Sequence, residues 1–319
     1  MSKLIAIIAG EPNSINSEII AKAWKKRRKL KNIFIIGNYS ILNKQFLKLG
    51  IKIPLVKIKS LQDFRNVDKL FILDVPLKFK SEFSISLSET KTHIFKCFDI
   101  AHNFALEKKI KGFINAPIDK KIFNNRYLGV TEYLSEKNMC KNKEVMLIHN
   151  KKLSVVPLTT HIEIKDVTKR VTFNSIITKI ITLNNFYLKM LNQKPKIAIL
   201  GLNPHNSENR NNSFENRIIK PALIKLKKIR INIKGPFPAD TAFNKQKIKA
   251  YDIVVGMYHD QVLAPFKALY GYDAINITLG LKYLRLSPDH GTAQDIIGLN
   301  KGNPESLVSA INFLNKIND

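Results

Sequence analysis

The chain has 319 residues, a hydrophobic fraction of 45% and a formal net charge of +28 at pH 7. This length suits one large or two medium domains, and the hydrophobic fraction is ample for a buried core. No apolar run reaches the length of a membrane span, and Cys97 and Cys140 offer no disulfide framework, so a membrane-spanning or disulfide-rich protein is not expected. We expect no membrane partner and a reducing, cytoplasmic compartment.

The positive charge raises the question of nucleic-acid binding. The lysines are spread along the whole chain among Ile and Asn residues, and no alternation of aromatic and basic residues typical of RNA-binding modules is present. We interpret the charge as a solvated basic surface that would attract an anionic substrate, with no nucleic-acid partner. A basic nucleic-acid-binding protein stays an alternative, which steeply salt-sensitive binding to DNA or RNA would favour.

Strand-like and helix-like runs alternate along the chain, which is typical of an α/β protein with a largely parallel sheet. The predicted strands are 4–9, 33–36, 70–73, 110–114, 145–148, 153–158, 196–202, 253–257 and 275–278. The predicted helices are 17–30, 88–108, 166–183, 221–228, 292–299 and 304–317. The strands within 145–158 are expected to form a hairpin around Asn150-Lys151, and the Asn-rich stretch 203–216 is expected to be irregular.

Short polar phrases follow several of the strand-like runs, where ligands collect in α/β sheets. They are Gly10-Glu11-Pro12-Asn13, Asn115-Ala116-Pro117, Thr159-Thr160-His161, Asn203-Pro204-His205 and Tyr258-His259-Asp260. Imidazole is the commonest metal ligand, and three protein ligands with one open position are typical of a catalytic metal site. If the fold brings His161, His205 and His259 together, the chain is a metal-assisted enzyme; otherwise each is an ordinary loop or capping residue.

The C-terminal region offers candidate contacts for anions and nucleotides. Neither a GxGxxG fingerprint nor a GxxxxGK[ST] loop is present, so a standard dinucleotide or P-loop site is not indicated. Lys267 and Arg285 suit a phosphate or a carboxylate. The phrase 287–293 precedes the predicted helix 292–299, whose N-terminus would favour a phosphate or an adenosine edge, and Gly291 allows close approach of the backbone.

Five phrases, read together, resemble the 4-hydroxythreonine-4-phosphate dehydrogenases of pyridoxine phosphate biosynthesis. They are Thr159-Thr160-His161, Leu202-Asn203-Pro204-His205, Gly235-Pro236-Phe237-Pro238-Ala239-Asp240-Thr241, Met257-Tyr258-His259-Asp260-Gln261 and Ser287-Pro288-Asp289-His290-Gly291-Thr292-Ala293. The resemblance runs from Gly10 to about Gly298. The His-Gly-Thr-Ala turn is also similar to the adenosine-binding turn of isocitrate and isopropylmalate dehydrogenases.

The resemblance implies a two-domain α/β/α fold like that of isocitrate and isopropylmalate dehydrogenases, with the active site in the interdomain cleft. Residues 1–135 with 279–319 would form the first, cofactor-side domain. Residues 136–278 would form the second domain, with the metal ligands and the dimer interface. The activity implied is NAD(P)-dependent, metal-assisted oxidation of 4-phosphooxy-L-threonine to 2-amino-3-oxo-4-phosphooxybutanoate, which decarboxylates to 3-amino-2-oxopropyl phosphate.

The resemblance also implies roles for single residues. It further implies that the protein is a homodimer whose active sites are shared between the two subunits. The divalent metal ligands would be His161, His205 and His259, and the substrate contacts Thr131, Lys267, Asn276 and Arg285. Candidate contacts to NAD or NADP are Asn203, Ser287, Asp289, His290, Gly291 and Thr292. The family metal is Zn²⁺, Co²⁺ or Mg²⁺, of which three imidazoles favour Zn²⁺ or Co²⁺. Asp240 and Asp260 are candidates for proton handling, and the general base is not assigned.

Two departures from the family pattern keep alternatives open. This chain has Gly129-Val130-Thr131-Glu132 where the family usually has Gly-His-Thr-Glu, so Val130 replaces a substrate-contacting histidine. The loop 10–18 also lacks glycines that are common there. One alternative is the same chemistry on a four-carbon sugar-acid phosphate, such as threonate or erythronate 4-phosphate. Another is an acyl-phosphate transferase, which has a similar fold and needs no histidine triad.

Overall fold

A computed structural model describes residues 3–26, 32–124, 126–141, 143–271 and 273–317. The chain divides into two compact units, one formed by Met1–Gly129 with Lys282–Asp319 and the other by Val130–Leu281. The second unit is therefore a continuous stretch inserted between two parts of the first.

Within the described ranges, the first unit contains a six-stranded sheet in which every neighbouring pair is parallel. Its order is β3 (Leu55–Ile58), β4 (Leu70–Asp74), β2 (Ile33–Gly37), β1 (Leu4–Ile8), β5 (Ile110–Asn115) and β12 (Leu284–Pro288). Its helices are α1 (Asn16–Lys25), α2 (Tyr39–Lys48), α3 (Leu87–Leu106) and α11 (Glu305–Lys316). The central strands are almost wholly buried, as expected of parallel strands covered on both faces.

The sheet of the second unit is mixed. Its order is β11 (Ile275–Leu279), β6 (Val145–His149), β7 (Ser154–Pro157), β10 (Ile253–Gly256), β8 (Ile197–Leu200) and β9 (Ile233–Phe237). The pairs β11–β6 and β6–β7 are antiparallel, and the other pairs are parallel. The helices are α4 (Val130–Lys137), α5 (Val167–Arg170), α6 (Phe173–Met190), α7 (Lys220–Lys228), α8 (Ala239–Ala242), α9 (Lys245–Ile248) and α10 (His259–Tyr270).

Helix α10 is anchored by its apolar face. Val262, Leu263 and Phe266 are buried in a core cluster with residues of β7, β8 and β10, among them Val155 and Val254. Because His259 is the first residue of α10, this packing also fixes the position of the His259 backbone.

The structure confirms the fold class predicted from sequence, an α/β protein with a largely parallel sheet. The hairpin expected within 145–158 is also present, with Ile148 opposite Val155 and His149 opposite Ser154. Its turn is held by Asn150, whose Oδ1 accepts hydrogen bonds from the backbone N–H groups of Lys152 at 2.7 Å and Leu153 at 3.0 Å.

The predicted helix 166–183 is wrong in its continuity. The chain forms α5 and then α6, because Thr172 caps the second helix. The Thr172 hydroxyl accepts from Ser175 N at 3.1 Å, and the Ser175 hydroxyl accepts from Thr172 N at 2.8 Å, which is a reciprocal capping box.

The predicted helix 292–299 is also wrong. Only a 3₁₀ turn, Gln294–Ile296, forms there, since Ala293 adopts a left-handed conformation with φ +47° and Gly298 has φ +77°. The residues with right-handed helical backbone angles between Ala293 and Gly298 are therefore too few to form an α-helix. The helix N-terminus that was to favour a phosphate beside Gly291 does not exist.

Helices α2, α4 and α10 were not predicted from sequence. The remaining differences concern helix ends and short or mixed elements. Helix α1 ends at Lys25, and residues 27–30 of the predicted helix 17–30 lie outside the described residues. Strands β3, β9 and β12 were not predicted, because each mixes polar residues or Pro into a run of four or five residues. Across the ranges that the structure covers, none of the helices combines the length and the apolar character that crossing a membrane requires.

Candidate functional site

The three histidine-bearing phrases follow three neighbouring strands of the second unit. Strand β10 lies between β7 and β8 and is parallel to both, with Gly256 opposite Pro157 and Val255 opposite Ile199. The carboxyl ends of these strands therefore lie at one edge of the sheet. They lead to residues 159–161, 203–205 and 257–259, so the topology places the predicted metal ligands along a single edge.

His161 and His259 lie together at this edge. Their ring centroids are 6.0 Å apart, with an angle of 39° between the ring planes. His161 Nδ1 is 3.3 Å from Glu132 Oε1, and His259 Nδ1 is 2.6 Å from Asp260 Oδ1. A carboxylate at Nδ1 orients an imidazole and leaves Nε2 available to a metal ion. This pair fits a Zn²⁺ or Co²⁺ ion better than Mg²⁺, which prefers oxygen ligands.

His205 is not joined to that pair within one chain. It is exposed and lies in a 3₁₀ turn, Pro204–Asn209, whose residues from His205 to Glu208 have left-handed backbone angles with φ between 49° and 57°. Among the residues with described coordinates, no group of three or more His, Cys, Asp or Glu side chains is placed to hold a metal ion. The structure thus brings two of the three predicted ligands together.

Glu215 holds the segment that carries His205. It is fully buried, and its Oε1 accepts from the backbone N–H groups of Leu202 at 3.0 Å and Asn203 at 2.9 Å. Its Oε2 accepts from the Ser207 hydroxyl at 3.1 Å. Burial raises the pKa of Glu215, but the hydrogen bonds from Asn203, Ser207 and Leu202 outweigh it, so the pKa lies below its usual value.

A lysine lies close to the other histidine segment. Lys179 Nζ donates to Leu158 O at 3.0 Å, just before Thr159. Burial lowers the pKa of Lys179, and the charges of Glu144 and Glu132 oppose that effect. Glu132 also contacts His161, so its carboxylate links Lys179 electrostatically to the histidine segment.

The predicted substrate contacts are divided between the two units. In the second unit, Thr131 lies at the start of α4 with its hydroxyl 3.4 Å from that of Thr278, and Lys267 lies on α10. Asn276 on β11 has a buried Oδ1 without a hydrogen-bond partner, which is an acceptor suited to a ligand. Arg285 belongs to the first unit, where it is 3% exposed and its Nε donates to Asn115 Oδ1 at 2.7 Å.

The predicted cofactor contacts are divided in the same way. Ser287 lies near the end of the buried strand β12. The backbone N–H of Asp289 donates to Ser306 Oγ at 3.0 Å, and the carbonyl of Thr292 accepts from Ile15 N at 3.2 Å. His290 Nδ1 is 2.9 Å from the carbonyl of exposed Gly291. Asn203 belongs to the second unit, and its side-chain amide is 3.2 Å from Glu215 Oε1, so its contacts serve the His205 segment.

The two candidate aspartates have different surroundings. The side chain of Asp260 is 80% exposed, and its Oδ1 lies 2.6 Å from His259 Nδ1. Asp240 is exposed in the short helix α8. Asp260 is therefore placed to orient an imidazole, while the described contacts give Asp240 no such function.

Three functional candidates were not predicted from sequence: Glu132, Glu215 and Gln261, the last because its side-chain amide hydrogen-bonds Met257 N and Gly201 O. Glu132 and Gln261 stand within phrases already singled out, next to Thr131 and Asp260, so their position was the available signal. Glu215 carries no local signal, because its role depends on a contact with a segment that precedes it in an irregular stretch.

Comparison with known proteins places these features in a family. The family model "Pyridoxal phosphate biosynthetic protein PdxA" matches residues 29–314. The chain belongs to this family. It is similar to a 4-hydroxythreonine-4-phosphate dehydrogenase from Sulfurihydrogenibium sp. (strain YO3AOP1), with 41% identity over 96% of each chain. It is also similar to a D-threonate 4-phosphate dehydrogenase from Pectobacterium atrosepticum, with 30% identity over 98% of each chain.

Solved structures agree with this PdxA-family membership. The structure of a 4-hydroxythreonine-4-phosphate dehydrogenase from Klebsiella pneumoniae has a TM-score of 0.84 and 29% identity, over 98% of both chains. An isocitrate dehydrogenase from Methylococcus capsulatus, at 11% identity and a TM-score of 0.53, covers 98% of this chain and 85% of its own. The second likeness concerns the fold alone and confirms the predicted fold class.

Proposed function

We propose that this PdxA-family chain is an NAD(P)-dependent dehydrogenase that oxidises 4-phosphooxy-L-threonine at its C3 hydroxyl with the help of a divalent metal ion. The observation that carries the proposal is the His161–His259 pair, with a carboxylate at each Nδ1. Family membership supports the same activity, because relatives over nearly the full chain are named for it.

The proposed reaction consumes one NAD(P)⁺ and releases one NAD(P)H and one proton. The product, 2-amino-3-oxo-4-phosphooxybutanoate, is a β-keto acid. It loses CO₂ because the ketone accepts the electron pair of the breaking bond, and a proton then yields 3-amino-2-oxopropyl phosphate, for use in pyridoxine 5′-phosphate biosynthesis.

Residues of the chain have distinct tasks in this proposal. When bound, the cation would supply a Lewis acid for the reacting hydroxyl, and the nicotinamide would accept the hydride. Lys267 and Arg285 bind the anionic ends of the substrate, and Thr131 and Asn276 orient it. The Asn276 Oδ1 supports this, since a buried acceptor without a partner gains a hydrogen bond when a substrate ammonium or hydroxyl group reaches it.

The active form in this proposal is a cytoplasmic homodimer in which two subunits share each active site. The ligand set among the described residues supports the dimer, because it brings His161 and His259 together and leaves a third position to be filled. His205 is exposed and is therefore available to such a shared site.

A second substrate deserves a direct comparison. The relative from Pectobacterium is named for D-threonate 4-phosphate, and Val130 removes a side chain that the 4-hydroxythreonine-4-phosphate dehydrogenases usually have. Turnover should be measured on 4-phosphooxy-L-threonine and on threonate 4-phosphate under the same conditions. A higher kcat/KM on the threonate would assign the chain to the second substrate.

The test of the function itself is the pair of variants His259→Ala and His205→Ala. We expect each to lose most of its bound Zn²⁺ or Co²⁺, measured by elemental analysis, and to reduce NAD⁺ or NADP⁺ at least about 100-fold more slowly. Glu208→Gln, an exposed change in the turn of His205 that keeps the length of the side chain, is the control and should retain both. Full metal content and turnover in both histidine variants would refute the metal-assisted mechanism.

A further inference from the structure

Gln261 joins two strand ends of the site through its side chain. Its Oε1 accepts a hydrogen bond from Met257 N at 2.7 Å, and its Nε2 donates to Gly201 O at 2.7 Å. Met257 follows β10, and Gly201 follows β8. The backbone register of these strands ends with Val255 opposite Ile199, so the Gln261 amide continues the pairing as a further peptide group would.

The backbone of Met257 also holds the third strand end. Its carbonyl accepts from the hydroxyl of Thr159 at 2.7 Å and from Thr159 N at 3.2 Å. Met257 thus has two connections. Its carbonyl binds the His161 segment at Thr159, and its N–H is joined through the Gln261 side chain to Gly201, at the start of the His205 segment. The connection to His161 uses the backbone as well as a side chain, whereas the connection to the His205 segment depends on the Gln261 amide.

Gly256 makes room for this bridge. A Cβ at Gly256 would lie 2.9 Å from Gln261 Oε1 and 2.6 Å from Val262 Cγ1. A Cβ at Gly201 would collide with Asn206 Oδ1, in the turn that carries His205. Both hydrogen bonds of the Gln261 amide are partly buried, so each is stronger than it would be in open water.

We infer that Gln261 is a positioning residue that fixes the His205 segment relative to the His161–His259 pair. The same first turn of α10 carries His259 and holds Gly201, so movement of the helix start moves both. The consequence for metal binding rests on the proposed function, whereas the mechanical link between the segments follows from the hydrogen bonds alone.

The test uses two variants of the full chain. Gln261→Met keeps a similar volume without charge and removes both hydrogen bonds, and Gln261→Glu keeps the acceptor for Met257 N but lacks the donor for Gly201 O. Gln246→Met, the same change at an exposed position of the same unit, is the control. Amide hydrogen exchange is followed in peptides that cover residues 201–209.

We expect exchange in 201–209 to be about tenfold faster in both Gln261 variants and unchanged in the control, because each variant loses at least one partly buried hydrogen bond. Zn²⁺ dissociation constants from chelator competition should rise 10–100-fold, as for other groups that support metal ligands. Unchanged exchange in 201–209 would overturn the inference, and so would an equal increase across the whole second unit, which would mean general loosening.

The two proposals fail in different ways. If the unsubstituted protein binds no divalent cation, the proposed function is wrong, while the exchange comparison still decides the role of Gln261. If Gln261→Met does not fold, Gln261→Glu decides the inference by the same comparison with Gln246→Met.

Discussion

His149 is a titratable side chain that the proposed reaction does not use. It ends β6, and its Nδ1 is 2.8 Å from the hydroxyl of Ser154, which is 2.8 Å from the hydroxyl of Tyr187. Burial lowers the pKa of His149 to about 4 and raises the pKa of Tyr187 to about 12. All three groups are therefore neutral at pH 7 and form an uncharged hydrogen-bonded row.

This burial predicts a loss of stability in acid. The unfolded chain binds a proton on His149 near pH 6.5, whereas the folded chain does so only near pH 4, so folding is opposed as the pH falls between these values. The full contribution is on the order of 3 kcal/mol and is reached below pH 4, since a tenfold change in proton affinity corresponds to about 1.4 kcal/mol. Urea unfolding at pH 7 and pH 5 should show a smaller difference for His149→Gln than for the unsubstituted protein. An imidazole resonance of His149 that titrates near pH 6.5 in the folded state would contradict it.

At the scale of elements, the left-handed turn 204–209 depends on a buried carboxylate. Glu215 accepts hydrogen bonds from both ends of the segment that carries His205, at Leu202 and at Ser207. An amide in its place accepts at one atom only, so some of these donors would lose their partner.

We therefore expect Glu215→Gln to reduce the free energy of unfolding by about 2–3 kcal/mol at pH 7, the usual worth of hydrogen bonds to a charged group. Because the pKa of Glu215 is lowered in the folded state, this contribution is present above the unfolded value and is lost as the pH falls through the folded one. The urea midpoints of the two proteins should thus converge in acid. Glu208→Gln, an exposed change in the same turn, should have little effect at any pH, and an equal loss there would argue against the carboxylate.

Sequence patterns predicted much at this scale because apolar runs and strand ends are local properties. The runs before His161 and His259 indicated strands, and parallel strands necessarily bring their carboxyl ends to one edge. The role of Gln261 could not be predicted in this way, because its contact with Gly201 joins residues 60 positions apart. The role of Glu215 could not be predicted either, because it depends on how an irregular stretch folds around the carboxylate. The helix expected after Gly291 failed for a local reason, the left-handed angle at Ala293, which composition did not reveal.

At the scale of the whole molecule, the 53 Lys and Arg residues outnumber the 25 Asp and Glu residues. For a phosphorylated, anionic substrate, such a surplus accelerates encounter, and salt weakens the effect. We expect kcat/KM for 4-phosphooxy-L-threonine to fall several-fold between about 20 mM and 500 mM NaCl, where the screening length shortens from tens of ångströms to a few. Initial rates at limiting and saturating substrate measure this. The rate at saturation should stay nearly constant, and a fall in that rate alone would show that salt affects the chemistry and not the encounter.

The insertion of Val130–Leu281 between two parts of the first unit has a consequence for biosynthesis. A ribosome makes β5 early and its neighbour β12 only after the entire second unit. Until then β5 is without the strand that covers its edge, and Asn115 is without Arg285. An uncovered apolar strand edge invites pairing with other chains, so the nascent protein is most exposed to aggregation during this interval, and slow translation through the insert would lengthen it.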